Sequence, residues 1–244
     1  MKTKNYALLF FSILLLNACK KDPVTKPVKF TSTTYDKVGS YDASGTPNNL
    51  LRDTISSPLL SFINTTLPDG QNLTNSHPEL FDNPAIGDIT MKQPSDVYIT
   101  FVSGNSLNAN SIAFYTYPTD QPPATASDIK TITYVFPNAG HLTGLKAGDK
   151  IKIGNFNVGT SIGFVLMENA WDTTKGGLNN DAVHFCSNDA LNPEVDPKLK
   201  KHAVLINYPA ENKVLIGFED RDRTTSICDN DFNDVVIYCT VKPS

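Results

Sequence analysis

Residues 202–220, "HAVLINYPAENKVLIGFED", decide the fold expected for this chain. Two runs rich in aliphatic and aromatic residues flank the turn residues Pro209-Ala210-Glu211-Asn212. A run of strand length on each side of a short turn is typical of a β-hairpin. The segment therefore predicts two antiparallel strands, of which the second ends in the acidic residues Glu219 and Asp220.

The same pattern continues on both sides of this hairpin. Further segments of strand length and β-forming composition lie at residues 96–104, 111–118, 129–137, 149–156, 161–169, 181–187 and 234–241. Eight or nine short strands, separated by turn residues, are typical of an antiparallel sandwich. We therefore expect residues 95–244 to form one all-β domain, an antiparallel β-sandwich of jelly-roll or Greek-key type.

Residues 30–94 carry few strand signals and one helix signal. A Ser-Pro pair at 57–58 precedes apolar residues on one helical side, and Pro68-Asp69-Gly70 follows them. Serine before a helix and proline at its first position both favour a helix start. We expect an N-terminal extension with one short helix, packed on the sandwich.

The first 29 residues predict a lipoprotein. Met1–Lys4 is basic, Tyr6–Leu16 is apolar but too short to span a bilayer, and Leu16-Asn17-Ala18-Cys19 resembles a bacterial lipobox. We expect residues 1–18 to be a signal peptide, Cys19 to carry lipid, and residues 19–29 to form a tether. The alternative is an ordinary secretory signal with an incidental cysteine.

The net charge of the chain and the length of its apolar segments limit which binding partners we expect. Cleavage before Cys19 removes 18 of the 244 residues and two lysines, so 19 basic residues face 25 acidic ones with a net charge of −6. A mildly acidic surface argues against nucleic acid. No later segment has transmembrane length, so the lipid anchor is the expected membrane contact. The predicted location is the outer membrane, on the periplasmic or the surface-exposed side.

The C-terminal acidic residues predict a calcium site. Seven candidate ligands follow one strand or precede the next: Glu219, Asp220, Asp222, Asp229, Asp231, Asn233 and Asp234. The D-x-D-x-N spacing from Asp229 to Asn233 suits a hard cation, because Ca²⁺ binds six to eight carboxylate, amide and carbonyl oxygens. The alternative is a solvated turn balanced by Arg221 and Arg223.

Other patterns give weaker signals for chemistry. Gly159–Gly163 matches G-x-S-x-G, but a strand-like run follows it where a nucleophile elbow needs a helix. Carboxylates that could form a glycosidase pair are Glu168, Asp172, Glu194, Glu219 and Asp220. Trp171 is either a core residue or an exposed platform for stacking on a sugar. We predict no catalytic residue.

Three cysteines remain after lipidation. Cys239 shares a strand face with Val235 and Ile237, so we expect a buried thiol there. Cys186 and Cys228 stand at polar edges of their strands and are the candidate disulfide pair in an oxidising compartment.

Three blocks resemble the LruC-type domain, a bacterial domain of unknown function (4114) found in secreted proteins and surface lipoproteins. They are "IGFVLMENAW" (162–171), "SNDALNPE" (187–194) followed by His202, and "IGFEDRDR…DNDFNDVVIY" (216–238). The resemblance implies a β-rich extracytoplasmic domain without known enzymatic activity. It also implies a Ca²⁺ site at Glu219, Asp220, Asp229, Asp231, Asn233 and Asp234. Cys228 departs from the small or polar residue of the family, which favours a disulfide at this loop.

These observations predict a lipid-anchored, non-catalytic envelope protein with a calcium-stabilised sandwich. The expected role is binding or adhesion to glycans, matrix or another surface protein. A glycan-processing hydrolase with a carboxylate pair is one alternative, and a purely structural envelope protein is another.

Overall fold

The computed structural model describes residue 25 and residues 28–82 and 88–244. The predicted signal peptide (1–18), the lipidation site Cys19 and most of the tether (19–29) lie outside the described residues. Among the residues that are described, no helix combines the length and the apolar character needed to cross a membrane.

Fourteen strands and three short α-helices form the described part of the chain. The strands are β1 (Thr34–Lys37), β2 (Leu51–Arg52), β3 (Ile89–Thr90), β4 (Ser95–Gly104), β5 (Ser111–Pro118), β6 (Thr131–Phe136), β7 (Asp149–Phe156), β8 (Thr160–Met167), β9 (Trp171–Asp172), β10 (Gly177–Leu178), β11 (His184–Cys186), β12 (Ala203–Tyr208), β13 (Lys213–Phe218) and β14 (Val235–Pro243). The helices are α1 (Ser57–Thr66), α2 (Leu73–Ser76) and α3 (Glu79–Asp82).

Twelve of the strands form two six-stranded sheets. The first sheet has the order β1-β6-β5-β8-β11, with β3 also paired to β8. The second sheet has the order β12-β13-β14-β4-β7-β2. All pairings are antiparallel except the parallel pair β1–β6, so the fold is mostly β and antiparallel.

The main core contains side chains from both sheets. Ile112 and Phe164 of the first sheet share one buried cluster with Ile99 and Ile237 of the second. Burying a side chain of this size contributes about 1.5–3 kcal/mol. Two further apolar clusters cover the opposite faces, one around Tyr115 beside the first sheet and one beneath α1 beside the second.

All nine strands predicted from the sequence are present, because each has a local pattern of β-forming residues with at least one buried face. The prediction for 181–187 is too long, since residues 181–183 form a turn and the strand begins at His184. The sequence missed β1, β2, β3, β9 and β10, which are two to four residues long. Strands this short leave no periodicity to detect.

The helix α1 occupies the segment that carries the helix signal. It begins at Ser57, one residue after its N-cap Ser56, whose hydroxyl accepts a hydrogen bond from the Leu59 amide at 3.1 Å. Leu59 and Ile63 are buried against the second sheet, whereas Leu60 is exposed. The extension also reaches both sheets, because β1 and β3 pair with the first and β2 with the second.

Candidate metal centre

The register of one hairpin brings the first acidic residues together. Phe218 of β13 pairs with Val235 of β14, so Glu219 and Asp220 leave one strand beside the point where Asp234 enters the other. The Asp220 amide donates to Asp234 Oδ2 at 2.9 Å, and the Glu219 amide donates to the His202 carbonyl at 2.9 Å. The backbone therefore fixes three carboxylates at one end of the second sheet.

The loop between β13 and β14 places two more carboxylates, those of Asp229 and Asp231, beside Glu219. Asp231 Oδ2 accepts a hydrogen bond from the Gly70 amide at 2.8 Å, and its Oδ1 accepts one from Asn233 at 3.0 Å. Phe232 has a φ of 56° and is fully buried against Phe81, with ring centroids 5.3 Å apart. A positive φ is unfavourable for phenylalanine, so its burial anchors the loop in this shape.

These residues form two sets of possible ligand atoms. One oxygen each from Glu219, Asp220 and Asp234 lie within 4.8 Å of one another. One oxygen each from Glu219, Asp229 and Asp231 satisfy the same limit. Two oxygens bound to one calcium ion can be up to about 5 Å apart, since each lies about 2.3–2.6 Å from it. Each set therefore has the spacing of a metal site.

Several of the buried oxygens have no hydrogen-bond donor. Glu219 and Asp220 are both 0% exposed. Among the described residues, no donor has hydrogen-bond geometry to either Glu219 oxygen or to Asp220 Oδ1, although the Cys228 thiol and the Asp234 carboxyl lie near Glu219 and lower its pKa slightly against the effect of burial. A buried polar atom without a partner destabilises a fold by about 1–3 kcal/mol, and by more when it is charged. A cation bound between these oxygens would remove that cost.

Arginine does not neutralise the cluster in the way that the alternative interpretation requires. Among the described residues, no salt bridge involves any of the five carboxylates. Arg223 instead donates to Asn230 Oδ1 at 2.7 Å and to the Lys201 carbonyl at 2.9 Å, and its guanidinium lies over Phe232. When ionised, these carboxylates therefore have no ion-pair partner within salt-bridge distance among the described residues, and the Arg223 guanidinium acts on Glu219 only from farther away.

Burial and mutual repulsion make these carboxyl groups weak acids in the absence of a cation. Burial, followed by the charges of Asp229 and Asp220, raises the pKa of Glu219 to about 7. Burial and the charges of Asp220 and Glu219 raise the pKa of Asp234 to about 9. Burial also raises the pKa of Asp231. A divalent ion would favour the ionised form of all three.

The connection between β4 and β5 supplies a second layer that sequence reasoning missed. Asp220 Oδ2 accepts hydrogen bonds from the Ser106 hydroxyl, from Asn108 Nδ2 at 3.2 Å and from Asn110 Nδ2 at 2.5 Å. These donors hold one oxygen of Asp220 and leave the other free. The only local signal was the dense run of amides and hydroxyls in "SGNSLNANS" (103–111).

A buried histidine also supports the site. His202 Nε2 lies at hydrogen-bond distance from Glu194 Oε1, at 2.7 Å, and its Nδ1 lies 3.0 Å from the Glu219 carbonyl oxygen. Both side chains are fully buried, and the imidazole stacks on Phe185 with centroids 3.8 Å apart. His202 thus fixes the backbone of Glu219, a role that its isolated position in the sequence did not indicate.

Two predicted ligands are not members of the carboxylate sets. Asp222 lies outside both sets, and its Oδ1 caps a turn by accepting from the Thr224 amide at 2.9 Å. Asn233 carries an amide and not a carboxylate; it is buried beside Asp231, where its side-chain nitrogen has no described partner, and its role as a ligand stays a prediction. Five carboxylates therefore form the candidate site.

Two further predictions are corrected. Cys186 and Cys228 are free thiols, so the predicted disulfide is absent. The reason is their placement: Cys186 faces the apolar cluster around Tyr115, whereas Cys228 lies in the acidic loop beside Glu219. Trp171 is 3% exposed and packs edge-on against Tyr41 at 5.5 Å, so it cannot stack on a sugar.

A polar cleft of about 390 Å³ lies at one end of the first sheet. The Ser161 hydroxyl lies between those of Thr90 and Thr119, at 3.0 and 2.9 Å. Asp88 accepts from Tyr117 and from Ser187, both at 2.5 Å, and burial raises its pKa to about 6. Ser161, the centre of the G-x-S-x-G match, thus lies among hydroxyls in strand β8.

The donor set of the candidate metal centre fits a hard cation. Every ligand atom in both sets is a carboxylate oxygen, and neither set contains histidine or cysteine. Oxygen-only coordination suits Ca²⁺, Mg²⁺ or Mn²⁺ and disfavours zinc or copper. The acidic clusters can accordingly hold a metal ion.

Comparison with known proteins identifies one family. Its profile, described as "Domain of unknown function (DUF4114)", matches residues 156–242. The match includes all five carboxylates but not the donors of the β4–β5 connection. No curated protein and no solved structure matches the chain. The three sequence blocks at 162–171, 187–194 and 216–238 all lie within this match, so the resemblance predicted from them is confirmed for residues 156–242.

Proposed function

We propose that this protein is a lipid-anchored, non-catalytic binding or adhesion module of the outer bacterial envelope, stabilised by Ca²⁺. The observation that carries the calcium proposal is a set of buried carboxylate oxygens without hydrogen-bond donors or salt-bridge partners among the described residues. The lipobox-like sequence at Leu16–Cys19 supports the lipid anchor and the envelope location. The two sheets, which share one core cluster, support a sandwich of Greek-key or jelly-roll type.

Calcium is favoured over magnesium by the number of protein ligands. Mg²⁺ keeps several waters and takes one or two carboxylates, whereas Ca²⁺ accepts six to eight oxygens in flexible geometry. Five carboxylates in one place exceed what a hydrated magnesium ion uses.

Calorimetry and thermal unfolding test the calcium proposal. At a Ca²⁺ concentration about 100 times the dissociation constant, we expect a stabilisation of about 2.7 kcal/mol, or about 5–11 °C in Tm for a chain of this size. Chelator should reverse the shift. No heat on titration and no change of Tm with chelator would refute the calcium site.

The polar cleft around Ser161 is the best-supported place for a glycan. Its hydroxyls, the carboxylate of Asp88 and the ammonium of Lys201 offer both donors and acceptors to sugar hydroxyls, and Tyr117 offers an aromatic ring. A volume of about 390 Å³ falls within the usual range of ligand sites. The ligand class proposed here is therefore a carbohydrate.

A glycan array tests this part. We expect binding by the wild type and loss of binding by Thr119→Trp, which fills the cleft from an exposed position at its rim. Thr116→Trp, also exposed on β5 but outside the cleft, is the matched control. Absence of any glycan ligand would favour the purely structural alternative.

One observation favours a hydrolase as the second candidate function. Burial and the charges of Asp220 and Asp222 raise the pKa of Glu168 to about 7, which suits a general acid. Glu168 shares a cavity of about 180 Å³ with Asp181 and Asp222. Glu219 and Asp220 are too deeply buried to touch a substrate. Release of reducing sugar by the wild type but not by Glu168→Gln would establish the hydrolase.

A further inference from the structure

The five carboxylates of the candidate metal centre are arranged as two sets with one common member. Asp220 and Asp234 belong to the first set and Asp229 and Asp231 to the second, and only Glu219 belongs to both. The first set stands on the ends of two hydrogen-bonded strands, and the second set stands mainly on the loop that joins them. A single ion is not required to reach all five.

We infer that Glu219 bridges two divalent cations, one bound with Asp220 and Asp234 and the other with Asp229 and Asp231. This inference rests on the proposed calcium function and specifies its stoichiometry. It places the common carboxylate between the ions, with one set of ligands on each side.

Free oxygen atoms are available for both ions. Glu219 is fully buried, and no donor among the described residues has hydrogen-bond geometry to its Oε1 or its Oε2, so both oxygens are available to ions. Asp220, also fully buried, has Oδ2 held by Ser106, Asn108 and Asn110 and leaves Oδ1 without a donor. These unpartnered buried atoms point to a ligand independently of the acidic composition.

The second set also retains capacity to bind. Each oxygen of Asp231 accepts one backbone hydrogen bond, from Gly70 or from Asn233. A carboxylate oxygen has two lone pairs, so both oxygens can still bind a metal ion. Asp229 is exposed and makes no hydrogen bond with a described residue through its carboxylate, and it can close the site from the solvent side.

Charge balance favours two ions over one. When all five carboxyl groups are ionised to bind metal they carry five negative charges, and no salt bridge among described residues reaches them. One divalent ion leaves three negative charges uncompensated in a largely buried site, whereas two divalent ions leave one. Uncompensated buried charge is strongly unfavourable.

The two ions have different structural tasks. An ion in the first set joins the end of β13 to the start of β14. An ion in the second set pins the β13–β14 loop to Glu219 and, through Asp231, to the turn at Gly70. Loss of the second ion should therefore loosen the loop while the strand ends remain joined.

Counting bound ions tests the inference. The full chain, purified in detergent and stripped with chelator, is equilibrated with Ca²⁺ alone, and bound calcium is measured by atomic emission and by calorimetry. We expect two ions per chain in the wild type. Asp234→Asn and Asp229→Asn should each retain one ion, and Glu219→Gln should weaken both sites by at least about 10-fold, the smallest loss typical of changes in the outer shell of a metal site.

Control variants keep the test decisive. Asp222→Asn lies in the same loop outside both sets and should retain two ions. Asp229 is exposed, so its variant leaves the buried structure intact; circular dichroism and Tm in chelator verify folding of every variant. If Glu219→Gln does not fold, the double variant Asp229→Asn/Asp234→Asn replaces it and should bind no ion.

Three results would overturn the inference and are distinguishable. One ion per chain, removed equally by Asp229→Asn and Asp234→Asn, would mean a single site and would leave the calcium function intact. Two ions unaffected by Glu219→Gln would exclude the bridge. No bound calcium at all would refute the calcium function together with the inference.

Discussion

Burial changes the acidity of the carboxyl groups at the two strand ends. The folded protein raises the pKa of Glu219 to about 7 and that of Asp234 to about 9, mainly by desolvation. Both groups have a pKa near 4 in an unfolded chain. Between these values the folded state binds more protons than the unfolded state, so the free energy of unfolding falls as pH rises.

A pH series with chelator tests this at the residue scale. Without calcium, we expect the Tm to fall between about pH 7 and 8.5, a range above the titration of ordinary histidine and below that of thiols. The free energy of unfolding should fall by up to about 1.4 kcal/mol per pH unit for each additional proton that the folded state binds. With saturating Ca²⁺ the decline should disappear, because the ion favours the ionised carboxylates.

Glu219→Gln is the control for this effect. The amide does not titrate, so its variant should show a shallower decline in chelator over the same pH range. A Tm in chelator that rises with pH in the wild type would contradict the raised pKa values.

The cysteines give a second prediction at the residue scale. Cys186, Cys228 and Cys239 are buried free thiols, and burial raises the pKa of each. In a Cys19→Ala chain we expect no native reaction with a thiol reagent and three reactive thiols after unfolding without reductant. One reactive thiol after unfolding would instead reveal a disulfide; a sample treated with reductant provides the reference value of three.

At the scale of elements, the hairpin β13–β14 depends on one close backbone contact. A Cβ added at Gly217 would lie 2.4 Å from the Phe232 carbonyl oxygen and 2.7 Å from Leu67 Cδ1. The absence of a side chain at Gly217 thus lets the acidic loop fold back over its own strand. From the sequence alone, a glycine inside a strand indicates only that the strand is less stable there.

Gly217→Ala should therefore move the loop. Overpacking of this kind costs about 1–3 kcal/mol. We expect a lower Tm and weaker calcium binding, because Phe232 and its neighbour Asp231 must shift. Gly177→Ala is the matched control, since an added Cβ there meets no atom within 4 Å. Equal Tm values for the two variants would contradict this role of Gly217.

At the scale of the whole molecule, the part matched by the family profile is not an independent sheet. Residues 156–242 contain β12, β13 and β14, but β14 pairs on its other side with β4. In the first sheet, β8 pairs with β5 along its whole length. Both central pairings use strands that precede residue 156.

A fragment of residues 156–244 should consequently fail to fold. It exposes the inner edges of β8 and β14, so we expect no cooperative thermal transition and poor dispersion in an NMR spectrum. A chain of residues 28–244 retains all fourteen strands and is the control. A cooperative transition in the short fragment would show that the matched region is self-sufficient.

The sequence by itself determined the long strands and the position of the first half of the candidate site. Each long strand has a local pattern of β-forming residues, which needs no knowledge of the partner strand. Because antiparallel strands joined by a loop place their connected ends together, the sequence also put Glu219 and Asp220 beside Asp234. This part of the prediction succeeded because it required only neighbouring elements.

Only the tertiary structure decided what surrounds those carboxylates. Ser106, Asn108, Asn110 and Gly70 reach the site from 110 to 161 residues away in the chain. The same distance in sequence hid the burial of Trp171 and the separation of Cys186 from Cys228. Hydrogen-bond donors, burial and thiol pairing depend on which distant segments meet, and a local pattern of residues does not encode that.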